Sequence, residues 1–262
     1  MQNHSSIKER LFAGERLNGC WIEMFNPIAS EIMAMSGYDT AFIDLEHGPG
    51  SLMDAIAMMQ AVERHGCAPI IRTSSSNIVD IKRVLDIGPA GIMVPNIRNV
   101  EEAIAVVAAC RYGPEGTRGA APALVRASRY GNDIEAYAKF MEKDFLLIAQ
   151  VECEEAVNQI EEIVGIKGID MILIGPSDLS ASLGAIGQYD QYRFISAFAK
   201  IEKSTLDGGK LLGTIPIPGW SANRLYENGH SLVISGADSL LLKTAAENDI
   251  AMLREASKQK DK

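Results

Sequence analysis

Eight short apolar runs recur along the chain: GCWIEM (19–24), TAFIDLE (40–46), APIIRT (68–73), GIMVPN (91–96), LLIAQVE (146–152), MILIGP (171–176), LLGTI (211–215) and SLVIS (231–235). These runs are apolar at successive positions, so both faces of each strand must be covered, and the stretches between them repeat their apolar residues at helical spacing. A parallel sheet buries strands in this way, because every crossover lays a helix on it. Eight such units in 262 residues predict an α/β fold, a closed (β/α)8 TIM barrel formed as one domain over residues 1–262.

Two helices can be read closely. In SLMDAIAMMQAVERHG, Ser51 stands three residues before Asp54, the spacing of a capping box, and the helix is expected to stop at Gly66 with Met53, Met58 and Met59 packed on the barrel. NVEEAIAVVAACRYG has the same character and is expected to end at Gly113. Residues 113–132, GPEGTRGAAPALVRASRYGN, have no clean period; a connection of this length reads as a lid or a subunit contact, with ALVRASRY able to form a short helix.

Composition narrows the function. Hydrophobic residues make up 47% of the chain, yet no run reaches the roughly 18 residues that span a bilayer, and MQNHSSIKER has no hydrophobic signal core. The expectation is a cytoplasmic protein. A net charge of -9 without a segregated basic patch disfavours nucleic acid and membrane partners, which leaves a small molecule. Cys20, Cys67, Cys110 and Cys153 lie far apart, so reduced and mostly buried thiols are expected, with no thiol metal site.

Chemistry gathers where the runs end. Side chains at the carboxyl ends of barrel strands line the active site, and there the sequence places Asp44, Glu46 and His47, then Arg72, then Gln150 and Glu152, then Gly175-Pro176-Ser177-Asp178. Glu152 and Asp178 on adjacent strands would repel each other unless a cation stood between them, and two carboxylates without thiolates suit Mg²⁺ or Mn²⁺. The plainer alternative is that both acids sit at helix N-termini. Of the histidines His4, His47, His65 and His230, His47 is the one poised at a strand end, where Asp44 or Asp86 could orient its ring as a general base. Arg72 needs an anion, either Asp44 or Glu46 or a substrate oxyanion. HGPGS lacks the third glycine of G-x-G-x-x-G because Met53 holds that place, so its glycines read as a tight turn. Metal, base and arginine together suit proton transfer next to a carbonyl. A Schiff-base lysine is not indicated, since only Lys210 lies even beside a strand.

Through GYDTAFIDLEHGP, PIIR, LDIGPAGIMVPNI, RYGPEGTRG, AQVE and GPSDLSASLG the chain resembles the HpcH/HpaI-type class II pyruvate aldolases over nearly its whole length. That resemblance implies a metal-dependent aldolase cleaving a 4-hydroxy-2-oxo acid to pyruvate and an aldehyde, with Mg²⁺, Mn²⁺ or Co²⁺ as cofactor. It implies His47 as base, acting through a metal-bound water or on substrate, with Asp44 and Asp86 as partners; Arg72 on the keto oxygen and enolate; and Glu152 and Asp178 as metal ligands. It places Gln150 and Gly175 beside the substrate and the N–H groups of Ser177 and Asp178 on its carboxylate. It also implies a hexamer, a trimer of dimers that exchange the helix after Gly236. Cys153 and Ser177 depart from the family's usual threonine and alanine, and GTIPIPG, with Pro216 and Pro218, departs from an aliphatic pattern. Two other readings are an acyl-CoA lyase of the citrate lyase β or malyl-CoA lyase type and a silent barrel that binds a keto acid.

Overall fold

The eight apolar runs become eight strands in the computed structural model, which describes residues 6–258. The strands are β1 (Leu17–Ile22), β2 (Thr40–Asp44), β3 (Ala68–Arg72), β4 (Gly91–Val94), β5 (Leu146–Val151), β6 (Met171–Ile174), β7 (Leu211–Thr214) and β8 (Leu232–Ala237). They pair in parallel in chain order and β8 closes on β1, the expected barrel. The helices are α1 (Ile7–Phe12), α2 (Pro27–Met35), α3 (Leu52–Glu63), α4 (Ile78–Ile87), α5 (Val100–Cys110), α6 (Ile134–Lys143), α7 (Glu154–Asn158), α8 (Ile160–Val164), α9 (Pro176–Ser182), α10 (Tyr192–Asp207), α11 (Ala222–Glu227) and α12 (Asp238–Lys258).

Strand alternation divides the core in two. Leu17, Phe42, Ile70, Met93, Ile148, Leu173 and Ile234 fill the lumen, whereas Cys20, Ala41, Ile43, Ile71, Ile92 and Ile172 face the helices. Ile7 and Leu11 of α1 join the lumen cluster and plug the end where the strands begin. The lumen rows continue upward with period two, from Phe42 to Asp44, from Ile70 to Arg72, and from Ile148 to Gln150 and Glu152. Polar residues therefore meet at the opposite mouth because the rows of the core end in them.

Several expectations need correction. Ser51 and Asp54 do form the capping box, but the helix ends at Glu63, before Gly66, and α5 ends at Cys110, before Gly113. Met58 and Met59 are buried, whereas Met53, at the helix N-terminus, is 73% exposed. ALVRASRY yields only one 3-10 turn at Arg126–Ser128, closed by Arg129 and Tyr130 at φ of 54° and 57°. Cys20, Cys67 and Cys110 are buried, and Cys153 is half-buried. His4 lies outside the described residues.

Among the described residues no helix is long and apolar enough to cross a membrane. The final helix, α12, runs for 21 residues with Asp238 as its only buried residue, and it exposes Leu240, Leu241, Leu242, Ile250, Met252 and Leu253.

Candidate active site

Arg72 organises the mouth. Its Nε donates to Asp44 Oδ1 at 2.7 Å and its Nη2 to Asp44 Oδ2 at 2.5 Å, a two-pronged pair. Its Nη1 lies 3.2 Å from Glu46 Oε2. The Arg72 Cζ lies over the Trp21 ring, 4.4 Å from its centroid. Arg72 and Asp44 can share a buried level because β2 and β3 pair in register, Asp44 beside Arg72. Both protein acids proposed as its partners are engaged, yet only two of its N–H groups are used in hydrogen bonds. Donors on Nη1 and Nη2 remain for a ligand.

Asp44 does not orient the imidazole of His47. Its Oδ1 instead accepts the backbone N–H of Glu46 at 3.0 Å and of His47 at 3.4 Å, so it shapes the turn that carries the histidine. Burial pushes the Asp44 carboxyl up, but Arg72 and these amides outweigh it and hold the group below the usual carboxylate range. His47 is largely exposed, and Glu46 Oε2 lies 3.9 Å from its Nε2. Asp86 makes no contact with His47 within the chain. It ends α4, at the barrel end where strands begin, and Arg118 Nη2 donates to it at 2.8 Å. The expected His47–Asp86 pairing is therefore not made inside one chain. His65 pairs with Glu31 and His230 with Glu202, both away from the mouth.

The glycines of HGPGS have a steric reason. A Cβ on Gly50 would lie 2.0 Å from Phe25 Cδ1, and one on Gly48 would lie 2.4 Å from both Phe25 Cε2 and the Asp44 carbonyl oxygen. Phe25, itself held at a φ of 49°, thus lies against the turn that presents His47.

Across the mouth, Glu152 is buried, and neither it nor Asp178 pairs with a lysine or arginine among the described residues. Burial first, then the charge of Asp178, pushes the Glu152 carboxyl up to about 7, although Gln150 Nε2 and the Asn96 N–H both donate to it. The Oε1 of Gln150 is buried without a partner. Gly175 leaves room for this group, since a Cβ there would lie 2.1 Å from Glu152 Oε2. A divalent cation fits a buried carboxylate that resists ionisation opposite a second acid, and Glu152 with Asp178 would hold it; no third His, Cys, Asp or Glu among the described residues completes a protein-only cluster. At the start of α9, with Pro176 in its first turn, the N–H groups of Ser177 and Asp178 have no acceptor among the described residues.

Sequence reasoning left two neighbours without roles, Trp21 over Arg72 and Asn96 on Glu152, and it named Glu46 as a partner for Arg72 without placing it beside His47 as well. Both missed contacts join different βα units, which no local pattern shows. Lys210 bonds the carbonyls of Ile166 and Ile169, below the strands, and among the described residues no strand carries a lysine.

The HpcH/HpaI aldolase/citrate lyase family model matches residues 17–245. The chain is 36% identical over 245 residues to a pyruvate aldolase of Rhizobium etli, covering 94% of this chain and 95% of that one. It is 33% identical over 243 residues to a 4-hydroxy-2-oxo-heptane-1,7-dioate aldolase of Escherichia coli, covering 93% and 92%. A crystal structure of an HpcH/HpaI aldolase/citrate lyase family protein from Burkholderia cenocepacia superposes with a TM-score of 0.88 at 29% identity, covering 95% and 98%.

Proposed function

The chain belongs to the HpcH/HpaI aldolase/citrate lyase family and is an aldolase, a carbon–carbon lyase, and from that premise we propose that it reversibly cleaves a 4-hydroxy-2-oxo acid to pyruvate, or a close 2-oxo acid, and an aldehyde. The observation that carries this reading is the meeting, across one mouth, of a buried Glu152 that no lysine or arginine among the described residues bridges and an Arg72 with donors to spare. When bound between Glu152 and Asp178, a divalent cation, Mg²⁺, Mn²⁺ or Co²⁺, supplies the positive charge that polarises the keto group.

The chain's own residues do the rest. The N–H groups of Ser177 and Asp178 receive the substrate carboxylate, and Gln150, whose Nε2 donates to Glu152, lies nearby. His47 takes the C4 hydroxyl proton; the C3–C4 bond breaks, its electron pair passes into the enolate, the aldehyde leaves, and a proton returned to C3 gives the 2-oxo acid. Arg72, fixed by Asp44 and Glu46, aims an N–H at the oxygen that gains charge, which is where a preformed donor lowers a barrier. The exposed apolar residues of α12 support a hexamer in which that helix packs on a neighbouring copy.

The test is pyruvate release from a panel of 4-hydroxy-2-oxo acids, with EDTA and after adding back Mg²⁺, Mn²⁺ or Co²⁺. Release abolished by EDTA and restored by metal is the expected outcome; metal-independent release that borohydride traps would overturn it.

A further inference from the structure

Trp21 stands at a lumen position of β1, on the same inward row as Leu17, and is 7% exposed. Its indole is fixed from below by Phe42, the residue beside it in the β1–β2 register, with centroids 5.5 Å apart and planes tilted by 53°. Gly19 leaves room beside Phe42, since a Cβ there would lie 2.7 Å from Thr40 Oγ1 and 3.0 Å from Phe42 Cε2. Gly19, Phe42 and Trp21 thus form a stack that ends under the guanidinium of Arg72, 4.4 Å from centroid to Cζ.

The two kinds of contact on Arg72 restrain different motions. Asp44 and Glu46 hold its edges and set the direction of its N–H groups within their plane. A carboxylate at the edge still permits the guanidinium to tilt about that edge; an aromatic ring packed 4.4 Å from its Cζ leaves little room for the tilt. Hydrogen bonds weaken steeply as they bend, so a free plane would cost most where one N–H must meet an oxygen whose charge grows during reaction.

We propose that Trp21 is a positioning residue for the aldol reaction, setting the plane in which Arg72 presents its N–H groups to the 2-oxo acid. This rests on the role given above to Arg72. The test measures pyruvate release and proton exchange at C3 of pyruvate for Trp21→Leu, Trp21→Phe and Trp21→Met, alone and with Arg72→Gln. Trp21→Leu should lower kcat by roughly 10- to 30-fold, the loss of a desolvated cation–π contact, with Mn²⁺ affinity unchanged. Trp21→Phe should stay within about 3-fold of the parent, because it keeps a ring face. In the Arg72→Gln background the effect of Trp21→Leu should shrink to under about 2-fold, as for residues acting through one another.

Parental kcat in Trp21→Leu, or an undiminished loss beside Arg72→Gln, would overturn the proposal while leaving the aldolase reading intact. If Trp21→Leu fails to fold, Phe against Met decides, since Met fills the space without a ring face, and equal rates would overturn it. A parent that neither releases pyruvate nor exchanges its protons would overturn both readings.

Discussion

Arg72 and Asp44 form a buried ion pair whose two members need each other. Removing the guanidinium by Arg72→Ala would strand a fully buried carboxylate, at a cost of about 3–5 kcal/mol of stability, so loss of activity in that variant would mix two effects. Arg72→Lys separates them: charge is retained and the planar fork is lost. Kcat for pyruvate release should fall about 10²- to 10³-fold while the thermal midpoint shifts little. The same pair sets an acid limit. Because the folded carboxyl of Asp44 is held below its usual range, its contribution to stability is complete above the unfolded value of about 3.9 and is lost as pH falls through the lower folded value. Urea midpoints followed from neutral pH into acid should show this loss in the parent and a smaller one in Asp44→Asn, which has no such proton to bind.

At the scale of elements, two glycines make the site by leaving space. Gly175, between β6 and α9, lets Glu152 sit against the backbone, and Gly175→Ala would drive a methyl into Oε2. Mn²⁺ affinity, read by calorimetry, should drop by about 10- to 100-fold, the usual effect of disturbing the support of a ligand. Gly50 gives way to the ring of Phe25 beneath the His47 turn. Gly50→Ala should cost about 1–3 kcal/mol of overpacking and reduce turnover, and the double variant with Phe25→Ala should recover stability, as thermal denaturation would show.

For the whole molecule, the long C-terminal helix poses the main question. α12 runs away from the barrel with its apolar residues in water, a surface that a single chain leaves uncovered. Ending the chain after Ser239, which keeps the Asp238 cap on the Glu23 and Met24 amides, should give a smaller particle by light scattering than the parent. An unchanged mass would remove α12 from the assembly. The net charge of -9 belongs to this scale too, and within the mouth Arg72 sets a positive charge against Asp44 and Glu46.

Local spacing determined a good deal by itself. Runs apolar on both faces specify eight buried strands, and eight strand–helix units specify closure, so the barrel was legible, as was the gathering of Asp44, Arg72, Gln150 and Glu152 at one mouth, since period two continues each lumen row into its final polar residue. The Ser51–Asp54 box was legible for the same reason, being contained within one turn. Who touches whom was decided only when the barrel closed. Register gave Asp44 to Arg72 instead of to the His47 ring, connectivity carried Asp86 to the far end and onto Arg118, and the adjacency of β1, β2 and β3 laid Trp21 over the guanidinium. A chain encodes its periodicities between near neighbours, whereas contacts between strands tens of residues apart depend on strand order and stagger, which no local pattern carries.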